Sequence, residues 1–335
     1  MITGVMNAGV ARNGVAMEPA PLMARPTWIV AFMLHVVPGI AAMSGWFAIQ
    51  VAELLPLYGF CAVFAGCGWR LRILKNYRIA ALLEMSALFY LLAAGTSLSC
   101  AVLSALALPY TDAGLAAADR MLGFDWVAMF HLFHNSPNAA YLLGRAYEAL
   151  NWAPQFLIVL LIIFRGPMLA WRFLTGWAIC LLFTALVYIF FPAVSPFHHY
   201  GFDPERMGRM TARVSWELPE ILGGLRTGTT RSLGLAQLAG IVSMPSFHAA
   251  AAILLIHGYA LLRWLRWPAV LVFGVMFFSA VPVGGHYFVD IIAGFLLALL
   301  SIRCAGRIFD RLSTPDKAAG GFCPTGMEPV GVAIG

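Results

Sequence analysis

Apolar residues in this chain come in long, nearly unbroken runs, not in the alternation of strands or the one-faced stripes of soluble helices. About 20 consecutive apolar residues are enough to cross a bilayer as a helix. Runs of that kind fall near 79–108, 153–168, 172–192, 246–262, 267–284 and 286–304. The region 27–68 is also apolar, but Pro38, Gln50, Glu53 and Pro56 interrupt it. It holds either two spans or one span and an interfacial helix. Residues 109–152 are mixed and amphipathic, contain "DRMLGFDW" at 119–126, and read as short surface helices. A long polar stretch occupies 193–245. The pattern predicts an all-α fold, a polytopic transmembrane helical bundle of about six to seven spans with short surface helices on the outer face. One membrane-embedded domain, 27–304, is expected between a flexible N-terminal tail, 1–26, and a cytoplasmic C-terminal tail, 305–335. The N-terminal tail lacks a short apolar core followed by a small-residue cleavage site, so it does not read as a cleaved signal peptide.

Composition agrees with a membrane domain. The chain is 61% hydrophobic and 11% charged, where soluble domains are about half apolar and a quarter charged. The net charge of +6 reflects topology, and nucleic-acid binding is not indicated. The segments 69–78, 165–172, 263–266 and 303–317 fall on one side of the bundle and carry twelve Lys/Arg residues. The opposite side, 109–152 and 193–245, carries seven over far more residues. The basic side is expected to be cytoplasmic and the long polar segments to face outward. The six cysteines form no CxxC pair and mostly lie in apolar runs, which indicates neither a disulfide framework nor a zinc site.

Two short stretches carry candidate chemistry. "SMPSFHAAAA" (243–252) opens one span, and "GGHYFVD" (284–290) opens the last one. The chain crosses inward after the first, turns at "RWLR", and returns to the second, so both are expected at one membrane face. His286 and Asp290 are four apart and share a helix face. A carboxylate there could fix the imidazole tautomer and raise its basicity, or the pair could simply be a polar contact between helices. Pro245 suits a helix start. Ser246 can cap it, and the opening N–H groups favour an anion. His248 beside that anion could donate a proton to a leaving group; otherwise it is an interfacial histidine behind an N-cap serine. As a set, these groups suit phosphoryl transfer without a metal or other cofactor. The cations that would meet phosphate charge are sought in the outward loop, among Arg206, Arg209, Arg213, Arg226 and Arg231, with Arg226 and Arg231 preferred as nearest before the first motif. "SPFHHYG" (195–201) puts His198 and His199 on the same face. Asp119, Asp125 and Trp126 read as shaping the surface helices, and His35 and His257 as ordinary buried histidines.

These residues resemble the type 2 phosphatidic acid phosphatase superfamily over about 79–304. "PSFH" is similar to its Pro-Ser-Gly-His motif, with Phe247 in the glycine position. "SAVPVGGHYFVD" is similar to its Ser-Arg-x5-His-x3-Asp motif, with Ser279, His286 and Asp290 in register and Ala280 in the arginine position. The Lys-x6-Arg-Pro motif has only a distant echo in Arg206–Arg213, followed by Val214. The phenylalanine and the "GGHYFVD" wording look like the branch of inositol phosphorylceramide synthases and their bacterial relatives. The resemblance implies that His286 is a nucleophile forming phosphohistidine, with Asp290 orienting it. It further implies that His248 is the acid and that Ser246 and Phe247 of the motif bind phosphate. It implies a metal-independent lipid phosphate phosphatase or head-group phosphotransferase. The substrate would be a membrane lipid such as a phospholipid or lipid phosphate, and the site would face outward from a bacterial inner membrane. A lipid-binding or transport protein that keeps the anion site without the reaction is the alternative.

Overall fold

The computed structural model describes residues 22–202, 214–238 and 240–313. The interrupted region 27–68 resolves into two long helices, α1 (Arg25–Met43) and α2 (Val51–Ile73). Helix α3 (Tyr77–Ser104) follows, then α4 (Asp112–Met121), α5 (Trp126–His134) and α6 (Pro137–Tyr147). A 3-10 turn at Glu148–Asn151 leads into α7 (Ala153–Phe164), and α8 is Pro167–Tyr188. The polar stretch contains the short α9 (Pro196–His199) and α10 (Val214–Thr227). Helices α11 (Phe247–Ala260), α12 (Arg266–Ser279) and α13 (Phe288–Ser313) complete the order. The strand content of the described residues is one parallel pair, Ala48–Ile49 with Ser232–Leu233. The fold is an all-α polytopic bundle, as the hydropathy pattern predicts.

Five helices, α1, α2, α3, α8 and α13, are long and apolar enough to cross a membrane. The pair 138–151 and 153–164 passes the same test only when taken together; its two arms differ by 54°, the geometry of a broken span or of a re-entrant loop. The short helices α4, α5 and α6 occupy 109–152, and α6 meets α7 at this bend. The breaking element is the 3-10 turn with Pro154 just beyond it, because proline removes a backbone donor and clashes with the preceding turn.

Large apolar side chains such as Phe32, Met43, Phe190, Trp267 and Leu271 point outward. A water-soluble fold would not leave so many exposed, and in a bilayer they face lipid. Helices α3 and α8 form the enclosed centre. Helix α3 buries Ala80, Ala81, Ala87, Ala94, Gly95 and Ala101, small residues that let neighbouring backbones approach closely. Polar contacts tie the spans together: Thr27 with Thr175 at 2.9 Å, Ser104 with Tyr188 at 2.7 Å, and the Arg72–Glu84 ion pair.

Helices α11 and α12 have 14 residues each, about 21 Å at 1.5 Å per residue. That is short of a ~30 Å hydrocarbon core. Irregular backbone at 280–287 fills the remainder, and Ala280, Val281, Val283, His286 and Tyr287 there are buried. Non-helical backbone at such depth is tolerated where protein covers it.

The starts of α11 and α13 pack at the limit of backbone approach. A Cβ on Gly294 would come within 2.3 Å of the Ser246 carbonyl oxygen. We expect Gly294→Leu to wedge the two helices apart and to prevent recovery of a monodisperse protein in detergent, read by gel filtration and thermal unfolding. Substitution at the open Gly274, which has nothing within 4 Å, should leave both measurements unchanged.

Candidate active site

The structure brings the two motif histidines to one end of the bundle, with ring centroids 6.4 Å apart. Local sequence explains each position. Ser246 takes an extended conformation and caps α11 by accepting a hydrogen bond from the Ala249 N–H at 3.3 Å. His248 follows in the first turn, its ring stacked on Tyr147 of α6 at 3.8 Å. His286 stands two residues before α13, and Asp290 lies in that helix's first turn.

His286 is 5% exposed and Asp290 is fully buried. The imidazole Nδ1 lies 2.9 Å from the carbonyl oxygen of Ser243. A carbonyl only accepts, so Nδ1 is the protonated nitrogen, and Nε2 keeps its lone pair. Asp290 was expected to hold this tautomer directly. Its Oδ2 is instead 3.6 Å from Nδ1, close enough for charge interaction, and accepts from the Ser243 hydroxyl at 2.9 Å and the Tyr287 N–H at 3.0 Å. Oδ1 is also buried and accepts no hydrogen bond from a described residue. The Ser246 N–H donates to the Asp290 carbonyl at 3.0 Å, joining the two motifs backbone to backbone. Ser243 is thus a member of the site that sequence reasoning passed over. Its position three residues before Ser246 was the available signal.

The remaining motif positions have other surroundings. The Phe247 ring turns into the core, edge-on to Trp177 at 5.2 Å, so only its backbone N–H remains at the helix mouth. The Ser246 hydroxyl is fully buried as a cap. Ala280, in the arginine position of the second motif, is buried in a cluster with Trp126, Phe130, Phe197 and Ile291. An aromatic wall occupies the place where a cation was to be expected. Arg226 donates to the Leu108 carbonyl at 2.6 Å and lies over the Tyr110 ring. Arg231 donates to the Leu225 carbonyl at 3.0 Å and faces Trp46 and Phe47. The contacts of both arginines are thus with residues outside the two motifs. Arg206, Arg209 and Arg213 lie outside the described residues. His198 and His199 are exposed, and His199 approaches Tyr287 at 6.3 Å between ring centroids.

The segment "DRMLGFDW" does more than shape surface helices. Asp119 is fully buried, and its two oxygens accept the N–H groups of Phe288 and Val289 at 2.8 Å each. It therefore caps the helix that carries Asp290, and a carboxylate is the favourable group at a helix N-terminus. Burial pushes the Asp119 carboxyl above its ordinary range even though both N–H donors pull it down; nearby Asp290 raises it further. Phe124 stacks on Phe288 at 4.8 Å. Asp125 caps α5 by accepting from Ala128, which positions Trp126 to donate its indole N–H to the His286 carbonyl at 3.1 Å. At the other end of α4, Asp112 accepts from the Tyr287 hydroxyl at 2.9 Å and from the Val194 N–H. Every residue from 286 to 289 is thus held by a side chain of α4 or α5.

Removing the Asp119 cap should loosen that hold. Hydrogen bonds to charged groups contribute about 1.5–3 kcal/mol each, so Asp119→Ala is expected to cost roughly 3 kcal/mol or more in thermal unfolding. Amide exchange at Phe288 and Val289 should accelerate, while exchange in α1 and α2 stays unchanged. Asp119→Asn, which keeps one acceptor oxygen, should fall between.

Compared with known families, residues 113–304 match the family described as the PAP2 superfamily. That match spans α4 to α13 and includes both histidine motifs and the buttressing surface helices. Searches of curated proteins and of solved structures gave no match. The matched region is more than half of the chain and contains the whole site, and the protein belongs to the PAP2 superfamily.

Proposed function

We propose that this protein is an integral membrane lipid phosphate phosphatase or head-group phosphotransferase working through a phosphohistidine at His286. Membership of the superfamily supports a phosphatase or phosphotransferase in general. The observation that carries the specific reading is the His286 environment: Nδ1–H is tied to the Ser243 carbonyl, and Nε2 is left as a free lone pair beside His248.

In the first step Nε2 of His286 attacks phosphorus, and the bond from phosphorus to the lipid oxygen breaks. His248, whose protonated form is favoured once the phosphate anion lies beside it, gives its proton to that oxygen, so the alcohol departs neutral. The imidazole gains positive charge as the P–N bond forms, and the Asp290 carboxylate at 3.6 Å offsets it. In the second step neutral His248 takes the proton from an incoming hydroxyl. That oxygen attacks phosphorus, the P–N bond breaks, and both histidines return to their starting states. Phosphoryl charge meets the N–H groups of Phe247 and His248 at the start of α11, since those of Ala249 and Ala250 are taken by Ser246. Water as the acceptor gives a phosphatase. A lipid alcohol gives a transferase, and the "GGHYFVD" wording favours one similar to the inositol phosphorylceramide synthase branch. The basic residues Arg263, Arg266, Arg303 and Arg307 lie toward the ends of α11 and α13 away from the histidines. By the positive-inside rule this supports a site at the outer face.

Purified protein in detergent, incubated with lipid phosphates or with phospholipid and ceramide, is the test. His286→Ala should abolish phosphate release or head-group exchange. His248→Ala should lower the rate by ~10²–10⁴-fold, the usual contribution of a positioned acid–base group. Rapid quenching should trap a phosphoenzyme stable to base and labile to acid. Equal background from wild type and His286→Ala would make the protein a lipid-binding member that has lost the reaction.

A further inference from the structure

A second polar feature lies between the helices, toward the end of α11 away from His248. A cavity of about 130 Å³ opens between α8, α11 and α13. Leu169, Phe173, Leu254 and Ile302 supply apolar walls, and Arg172 and His257 supply the polar groups. His257 lies nine residues beyond His248 on the same helix, about 14 Å along its axis. The sequence suggests a buried histidine there, but His257 is exposed at the side of the cavity.

Arg172 is the unusual member. It is half-buried in the second turn of α8. Its guanidinium enters the space between α8 and α13 because position 306 is glycine; a Cβ there would come within 2.8 Å of Nη2. The other arginine that reaches into the bundle, Arg72, has Glu84 as its partner. No carboxylate of a described residue pairs with Arg172. A cation within a membrane bundle is costly without a counter-charge, and a histidine beside it adds a donor and no negative charge. The volume admits a phosphate-sized group rather than one water, and basic pockets between spans suit phosphate-bearing head groups.

We propose that the Arg172–His257 cavity binds a phosphate-bearing anion, separately from the histidine pair at the other end of α11. The apolar walls favour a phosphate carried by an anionic phospholipid over free phosphate, with the lipid's glycerol and first methylenes against Leu254 and Ile302. This site does not depend on the catalytic reading of His286.

Native mass spectrometry of the full chain in detergent tests it, with phosphatidylglycerol, phosphatidylcholine and inorganic phosphate as separate probes. Phosphatidylglycerol should be retained about tenfold more tightly than phosphatidylcholine. Arg172→Gln should remove that preference, Arg172→Lys should keep most of it, and His257→Ala should weaken it. His286→Ala should leave it intact, which separates this cavity from the candidate active site. Retention of inorganic phosphate that Arg172→Gln abolishes would support the anion site and name free phosphate as its occupant. Wild-type retention of phosphatidylglycerol by both Arg172→Gln and His257→Ala would overturn the proposal. Equal retention of the two lipids without phosphate binding would do the same. Because His257 is exposed, its alanine variant keeps the test decisive even if Arg172→Gln does not fold.

Discussion

The buried carboxylate of Asp290 is the point on which the rest of the site depends. It lies in a nearly water-free junction between the starts of two membrane helices, where an unsatisfied charge would be expensive. Its Oδ2 is satisfied by the Ser243 hydroxyl and the Tyr287 N–H, and its backbone carbonyl receives the Ser246 N–H. Those bonds fix the segment entering α11 against the turn entering α13. The same junction presents the Ser243 carbonyl to His286 Nδ1, so the tautomer of the imidazole follows from how the carboxylate is accommodated.

A second layer of acids secures this junction from the surface side. Asp112 and Asp119 lie seven residues apart on α4, about two helical turns, and therefore share a face. Both face the 286–290 segment, where one takes the Tyr287 hydroxyl and the other takes two backbone N–H groups. Burying these carboxylates near Asp290 has an electrostatic cost, visible in the upward push on Asp119. The cost is offset by directional hydrogen bonds that leave the segment around His286 little freedom. Under the phosphohistidine mechanism proposed above, such restriction would hold one nitrogen at a fixed approach to phosphorus.

The departures from the family's motifs have structural correlates. Phe247 packs edge-on to Trp177, giving the start of α11 an aromatic anchor where a glycine would give none. Ala280 is enclosed by the Trp126 cluster, which also delivers the indole N–H to the His286 carbonyl. The arginine position and the tryptophan buttress occupy the same space, so the alanine is a condition of that packing. Arg226 and Arg231 stay with rings and carbonyls near Tyr110 and Trp46.

Much of this arrangement was legible in the chain itself. Uninterrupted apolar runs determined a helical membrane bundle, because a bilayer leaves backbone groups no other partners. The single excursion between "PSFH" and "GGHYFVD" determined that the two motifs share one end of the bundle; His286 stands before α13, so its approach to Asp290 is not the helix-face pairing that their i, i+4 spacing predicts. Tertiary structure alone decided the rest. That Ser243 rather than Asp290 holds the imidazole proton depends on two entry segments meeting at 2.9 Å, which no spacing encodes. That Asp119, some 170 positions away, caps the helix carrying Asp290 depends on how the surface helices fold back over the bundle. The break between α6 and α7, the enclosure of Ala280 and the exposure of His257 are of the same kind. Each results from what packs beside a residue, and neighbours in space are not written in the order of the chain.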